Sequence, residues 1–279
     1  MSTDDFLRRW PVDPEVARAF DQIPNELNEM GYDQWGFHPE TAKRLYSIGR
    51  WVYRYFRPEV RGVDNIPAGR VLLIGNHSGQ LPFDGLVVAV ATLLHADPPR
   101  IVRAMAERWF PTLPVVNEVF VRAGVTVGDP INARNLLEHE NAILVFPEGT
   151  GGSGKLFQHR YRLAKFGRGF MRLALQTKTP IVPFDVVGAE ESIPSIYNAK
   201  RLAKLFAAPY FPVPMTLPLL GPLAYLPLPT RFHVRFGEPM HFTGPFDDED
   251  EVIDAKVDVV KERIQAMIDE DLAARRSIF

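Results

Sequence analysis

The chain contains no cysteine in 279 residues. That removes disulfides, thiolate nucleophiles and Cys-ligated metals at once, and it fits a reducing compartment. An excess of either charge is also missing: 32 Lys and Arg stand against 34 Asp and Glu, a formal net charge of −2. No global basic field points to nucleic acid, so any electrostatic partner has to be met by a local patch. No run reads as a clean membrane span. Residues 84–95 are apolar but too short, and the apolar stretch 202–229 carries seven prolines, which remove backbone donors and break helices. The N-terminus, MSTDDFLRRW, lacks the basic-then-apolar layout of a secretory signal. There is no G-x-S-x-G elbow for a serine nucleophile. The seven histidines show no H-E-x-x-H or paired-ligand spacing, so no metal is expected. Internal repeats and low-complexity tracts are absent.

What is present is an ordinary globular composition, 46% hydrophobic and 24% charged, long enough to bury a sizeable core. RVLLIG (70–75), AILVF (142–146) and PIVPFDVV (180–187) read as buried strands, with weaker candidates at 101–106 and 232–237. Helical patterns lie between them, near 84–95, 130–140 and 163–178. This alternation predicts an α/β fold with a mostly parallel central sheet flanked by helices, preceded by an N-terminal helical segment. The expected division is 1–60 for the helical, possible membrane-associating segment and 61–279 for the α/β domain. Within the first part, 12–31 and 40–57 read as helices. In 40–57, Leu45, Ile48, Val52 and Phe56 share one face, and Lys43, Arg50, Arg54 and Arg57 share the other. At the end, 248–274 places Ile253, Val257, Val260, Ile264 and Ile268 on one face, as a closing helix would. Proline at 180 and 183 brackets a strand and predicts an edge, a strand start or a bulge there.

Two strands run into segments rich in chemistry. GNHSGQLPFDG (75–85) follows RVLLIG. Ligands of open α/β sheets bind at the carboxyl ends of strands, so His77 stands where a reactive group belongs, with a pKa suited to a general base. Asp84 either orients that imidazole, as a carboxylate does in a catalytic triad, or simply caps the following helix. FPEGTGG (146–152) follows AILVF and brings Glu148 to a second strand end. There it either faces the same crevice or sits in a plain turn.

Taken in order, GNHSGQLPFD, FVRAGV, FPEGT and PIVPF resemble the four sequence blocks of the lysophospholipid and glycerol-phosphate acyltransferase family, which includes bacterial lysophosphatidate acyltransferases. The blocks span Gly75 to Phe184, and flanking likeness extends over roughly 60–240. The resemblance implies transfer of a fatty acyl group from acyl-CoA or acyl carrier protein to a lipid hydroxyl, with no covalent acyl-enzyme and no bound cofactor. It implies His77 as base and Asp84 as its partner. Arg122 becomes the acceptor-phosphate ligand, and Asn76, Glu148, Gly149, Thr150 and Pro183 become substrate-site residues.

Two departures from the family pattern matter. Six residues separate His77 from Asp84 where the family has four, which requires a bulged loop. Gly151 stands where the family has the arginine of EGTR, a phosphate ligand. The acceptor range therefore runs from lysophosphatidate and lysophospholipids to neutral glycerolipids, with Lys155 or Arg160 as replacement cations. The expected partners are the acyl donor, the lipid acceptor and the lipid surface itself, met peripherally on the cytoplasmic face. The basic side of 40–57, with Tyr46, Trp51 and Tyr53, is one candidate contact, and 202–229 is another, as a membrane-dipping loop, a tunnel wall or a buried loop. The rival functions are a lipid or thioester hydrolase and a non-catalytic lipid-binding protein. A nucleotide site at GTGGSGK (149–155) lacks the Ser or Thr that follows the lysine of a P-loop.

Overall fold

The apolar runs form strands closed off on both faces, the burial a parallel sheet requires. The computed structural model describes residues 9–107, 116–205 and 209–279. In it β1 (Glu59–Arg61), β2 (Val71–Gly75), β3 (Val102–Ala106), β4 (Thr126–Val127), β5 (Ala142–Val145), β6 (Ile181–Val187) and β9 (His233–Phe236) form one sheet. Its order is β1-β9-β6-β2-β5-β3-β4. Every residue of β2 and of β6 is buried. All neighbours are parallel except β6 and β9. A separate two-stranded sheet pairs β7 (Ser195–Asn198) with β8 (Pro212–Pro214).

The helices are α1 (Pro14–Phe20), α2 (Pro39–Phe56), α3 (Phe83–His95), α4 (Val116–Arg122), α5 (Pro130–Glu138), α6 (Thr150–Ser153), α7 (Gly169–Thr177), α8 (Ala189–Ser192), α9 (Lys200–Leu205), α10 (Leu217–Leu220) and α11 (Asp250–Ala274). One face of the sheet packs Leu72, Ile74 and Ile143 against α5, α7 and α11, with Ile253, Val257, Val260, Ile264 and Ile268 turned inward as the periodicity predicts. The other face packs Leu73, Leu144 and Val186 against α3 and the end of α2, where Phe56 stacks on Phe232 at 4.1 Å. Phe56 thereby ties the 1–60 segment into the core of the domain that follows it.

The N-terminal region departs from expectation in two ways. The helix over 12–31 stops at Phe20, because Pro24 lies within the next turn and the chain then runs through turns to Pro39. Only part of the basic face of α2 meets solvent: Arg54 and Arg57 are exposed, the other two cations are not. Arg50 is buried, paired with Asp13 and Glu15 of the α1 start, and Lys43 reaches Asp21 and Glu40 at 3.3 Å. Tyr46 is buried against Phe20, so of the three expected interface aromatics Trp51 alone is well exposed, at 66%.

β6 is central, yet it carries Pro183. Phe184 pairs with Phe236, while Ile181 bridges to Met240, so β9 and its continuation hold one extra residue opposite Pro183. The missing N–H falls at this bulge, and the Pro183 carbonyl still accepts from Gly237 N at 2.7 Å. The stretch 202–229 resolves into α9, β8, α10 and a short 3-10 turn. Residues 206–208 of that stretch, and residues 1–8 of the N-terminal segment, lie outside the described residues.

Candidate active site

β2 and β5 are adjacent and parallel, with Ile74 opposite Val145. The segments that leave their carboxyl ends therefore emerge side by side, and they carry His77 and Glu148. His77 Nδ1 lies 2.7 Å from Asp84 Oδ2. Asp84 has no exposed side-chain surface, and it also accepts Ser78 N at 2.8 Å and Gly85 N at 2.7 Å. Its place in the first turn of α3 adds the favourable field of the helix N-terminus. The six intervening residues are accommodated at Gly79, whose φ of +84° is a left-handed turn open to glycine; a Cβ there would also meet Ala189 O at 2.9 Å.

This arrangement fixes the tautomer. An ionised Asp84 can only accept, so Nδ1 carries the proton and Nε2 of the neutral ring holds the free lone pair. Among the described residues no hydrogen-bond partner faces Nε2. The ring stacks on Phe146, centroids 4.4 Å apart and planes 17° from parallel. Burial alone would push the His77 pKa down. The charge and hydrogen bond of Asp84, with Glu148 adding, outweigh burial and the opposing Lys155, and the pKa ends above its ordinary value.

Glu148 is part of the same frame. Its Oε1 accepts the His77 backbone N–H at 3.0 Å, and its Oε2 accepts Ala164 N at 2.6 Å. Lys155 Nζ lies 3.2 Å from Glu148 Oε2 and 3.2 Å from Glu190 Oε1. All three side chains are at least nine-tenths buried. Lys155 is thus held by two carboxylates, and α6 is a single turn. A phosphate cradle of the kind GTGGSGK suggests has neither a free lysine nor a proper helix behind it.

The other expected site residues are placed as follows. Asn76 is buried and clamps β6: its Nδ2 donates to Val186 O at 2.9 Å and its Oδ1 accepts Val186 N at 2.8 Å. Gly149 and Thr150 open α6, and Thr150 N donates to Glu107 Oε1 at 2.6 Å. Pro183 lies inside β6, level with Ile74. Arg122 ends α4, ion-paired with Glu118 and set over the Tyr32 ring at 5.8 Å. His77, Asp84 and Glu148 are joined by direct hydrogen bonds, whereas the described contacts of Arg122 lie with α4 and the 32–38 loop. Sequence reasoning missed Phe146, Glu190 and Gly152. Phe146 was legible as the residue before PEG at a strand end; Glu190, over forty residues from Glu148, carried no local signal. A Cβ on Gly152 would come within 2.7 Å of Glu148 Cβ and 2.9 Å of His77 Cβ. Among the described residues no cluster of acidic and imidazole side chains could hold a metal ion, and no helix is long and apolar enough to cross a membrane.

A histidine oriented by a buried carboxylate at the end of a parallel strand defines a site for general base chemistry on an α/β scaffold. The acyltransferase family model matches residues 57–187, which contain that site. Uncharacterized proteins of Mycobacterium tuberculosis and Mycobacterium bovis are 41% identical over 260 residues, covering 90% of this chain and 72% of theirs. A Mycobacterium leprae protein, also uncharacterized, is 41% identical over 256 residues, covering 88% of this chain and 69% of its own. The crystal structure of the 1-acyl-sn-glycerophosphate acyltransferase of Thermotoga maritima has the same fold, with a TM-score of 0.52 at 18% identity over 85% of this chain and 81% of that one. Residues 57–187 thus carry an acyltransferase family domain, on the fold of the Thermotoga enzyme.

Proposed function

We propose that this acyltransferase moves a fatty acyl group from an acyl thioester to a lipid hydroxyl, with His77 as the general base. The observation that carries the reading is the 2.7 Å contact of His77 Nδ1 with Asp84 Oδ2, which leaves Nε2 basic and, among the described residues, without a hydrogen-bond partner. Nε2 takes the proton of the acceptor hydroxyl as its oxygen attacks the thioester carbonyl. The tetrahedral intermediate collapses to the ester, the C–S bond breaks, and the imidazolium returns its proton to the leaving thiolate. Asp84 stabilises the imidazolium between the two transfers. Glu148 holds the backbone of His77 in place. The donor is acyl-CoA or acyl carrier protein, and the protein works peripherally at the cytoplasmic face of a membrane.

The acceptor range narrows toward the neutral end. Gly151 replaces the family arginine. Of the two replacement cations, Lys155 is taken by Glu148 and Glu190, and Arg160 lies over the Phe157 ring at 4.4 Å. An uncharged acceptor such as diacylglycerol leaves no phosphate unpaired at this position.

The test is acyl transfer from labelled acyl-CoA, and from labelled acyl carrier protein, to lysophosphatidate, lysophospholipid, diacylglycerol and fatty alcohol, with wild type beside His77→Ala. Acceptor-dependent ester that disappears in the variant is the expected result. Full activity in His77→Ala would overturn the mechanism. Free fatty acid formed without regard to acceptor would instead assign the site to hydrolysis, and binding of lipid without turnover of any donor would make the protein a lipid carrier.

A further inference from the structure

We propose that the face built from residues 195–204, residues 209–228 and the C-terminal turns of α2 docks on an anionic lipid bilayer and sets the His77 loop beside it. This deepens the acyl-transfer reading and rests on it for the lipid nature of the partner.

The first observation is exposure. Leu219 is 88% exposed, Leu226 64%, Leu223 62%, Tyr197 59%, Met215 52% and Leu220 47%. Single exposed apolar side chains are ordinary, but a run confined to one inserted segment marks a contact surface. This segment packs no strand of its own into the main sheet; its β7 and β8 pair only with each other.

The second observation is continuity. Tyr55 Oη donates to Pro227 O at 2.6 Å, and the Arg57 guanidinium donates to Pro229 O at 2.6 Å. The end of α2 is thereby joined to the residues that follow Leu226. Tyr55 is 44% exposed, and Trp51, one turn earlier on the same side of the helix, is 66% exposed. Aromatic rings of this kind sit well at a membrane–water boundary.

The third observation is charge. From Ser192 to Gly237 the sequence has no acidic residue, while Lys200, Arg201 and Lys204 stand on α9 with exposed side chains. An apolar face edged with cations matches an anionic headgroup layer over an acyl interior. On the basic side of α2, Arg50 and Lys43 are paired within the fold, whereas Arg54 of its last turn and Arg57 just after it are exposed and extend the cationic edge. The exposed aliphatics of α11, Val252 and Val259, lie on a helix rich in Asp and Glu and are disfavoured at such a surface.

The fourth observation places the face beside the chemistry. Tyr210 Oη donates to Gln80 O at 3.0 Å, within the loop between His77 and Asp84. Asn198 Nδ2 donates to Gly154 O at 2.7 Å, beside the Glu148 turn. Leu81 of the same catalytic loop is itself 42% exposed. A lipid leaving the bilayer under this face meets the His77 loop without crossing the protein.

The experiment is sedimentation of the full chain with vesicles of equimolar phosphatidylcholine and phosphatidylglycerol, and with phosphatidylcholine vesicles alone. Wild type is expected to bind the anionic vesicles. Leu219→Glu with Leu223→Glu is expected to lower that binding about tenfold or more, because two anchors become charges facing anionic lipid. Lys200→Glu with Arg201→Glu is expected to weaken binding in dilute buffer and much less in high salt. Val259→Glu on α11 serves as the control and is expected to bind as wild type. Circular dichroism melts confirm that each variant is folded. Wild type that ignores vesicles, or a leucine variant that binds normally, overturns the proposal. Loss of a dimer on size exclusion in the leucine variant, with vesicle binding kept, reassigns the face to a second copy and overturns it too. Vesicle binding without transfer to any acceptor would fail the enzymatic reading and leave the docking face standing.

Discussion

Glu148 Oε1 accepts the backbone N–H of His77 at 3.0 Å, across 71 positions of sequence. This bond sets the base and its supporting turn in one frame, so the imidazole is aimed from two directions: the side chain by Asp84, the backbone by Glu148. Positioning of this kind matters because a reacting pair displaced by about 1 Å loses roughly a hundredfold in rate.

The pH dependence of acyl transfer follows from the Asp84 contact. The proposed mechanism needs neutral His77, and its pKa is raised, so kcat/KM is expected to climb with pH through a midpoint above the ordinary histidine value of about 6.5. In Asp84→Asn the attraction is gone and burial remains, so the midpoint should fall. The rate should fall as well, by roughly a hundred- to ten-thousand-fold. The ion pair contributes stability fully below the unfolded pKa and loses it as pH rises through the raised folded value. A pH–rate profile with the same midpoint in both proteins would refute the assignment of Asp84 as the orienting carboxylate.

Lys155 is the cation between two buried carboxylates, Glu148 and Glu190. Burial pushes the Glu190 pKa up, and Lys155 opposes it. Lys155→Met removes the compensating charge and leaves two acids facing each other, which should cost about 3–5 kcal/mol. Urea denaturation reads the loss directly. Unchanged stability would mean that water compensates the carboxylates and that Lys155 is free to serve a ligand.

The elements legible in the sequence were those with a repeating apolar signal. β2, β5, β6 and α11 follow from runs or stripes that burial alone explains, and the site residues sit where such strands end. The short edge strands β1 and β4 have three and two residues, too few for any period to show. Arg50 shows a different limit. Helical periodicity puts it on the polar face of α2, but which polar face is covered depends on α1, whose Asp13 and Glu15 arrive from outside the window. The buried Lys155–Glu190 pair is likewise a tertiary fact: a lysine in a glycine-rich turn looks like a phosphate ligand until its two partners are placed. The stretch 202–229 looked like a single apolar loop because its prolines conceal the short elements that they punctuate.

Two neighbouring glycines separate crowding from loss of flexibility. A Cβ at Gly152 would press on the Cβ atoms of Glu148 and His77, at 2.7 and 2.9 Å, and on His77 O at 3.0 Å. A Cβ at Gly151 meets only Ala164 Cβ at 3.9 Å, ordinary contact. Gly152→Ala is therefore expected to depress acyl transfer by roughly a hundredfold, through displacement of the base. Gly151→Ala should leave activity intact and stability equal or slightly higher, by about 0.4–1 kcal/mol. Equal activities in the two variants would show that the turn yields freely and that the His77–Glu148 frame is not held by packing at Gly152.

Asp185 gives a stability signal that is separate from the active site. It is fully buried in β6, its Oδ2 has no partner among the described residues, and its Oδ1 lies 3.5 Å from Arg235 Nε. Burial pushes its pKa up to about 8, and the neighbouring Asp271 pushes the same way against Arg235 and Arg61. Between the ordinary carboxylate value of about 3.9 and that raised value, the folded state holds a proton that the unfolded chain has released. Stability therefore falls as pH rises across this window and levels off above it. Asp185→Asn removes the titration while keeping the shape. Its melting temperature should exceed that of wild type by a margin that widens from about pH 5 to about pH 8. Thermal melts of the two proteins across that range test this. A constant difference at every pH would mean that Asp185 stays ionised in the fold, its charge carried by Arg235 and Arg61, and that the protein's pH sensitivity has its source elsewhere.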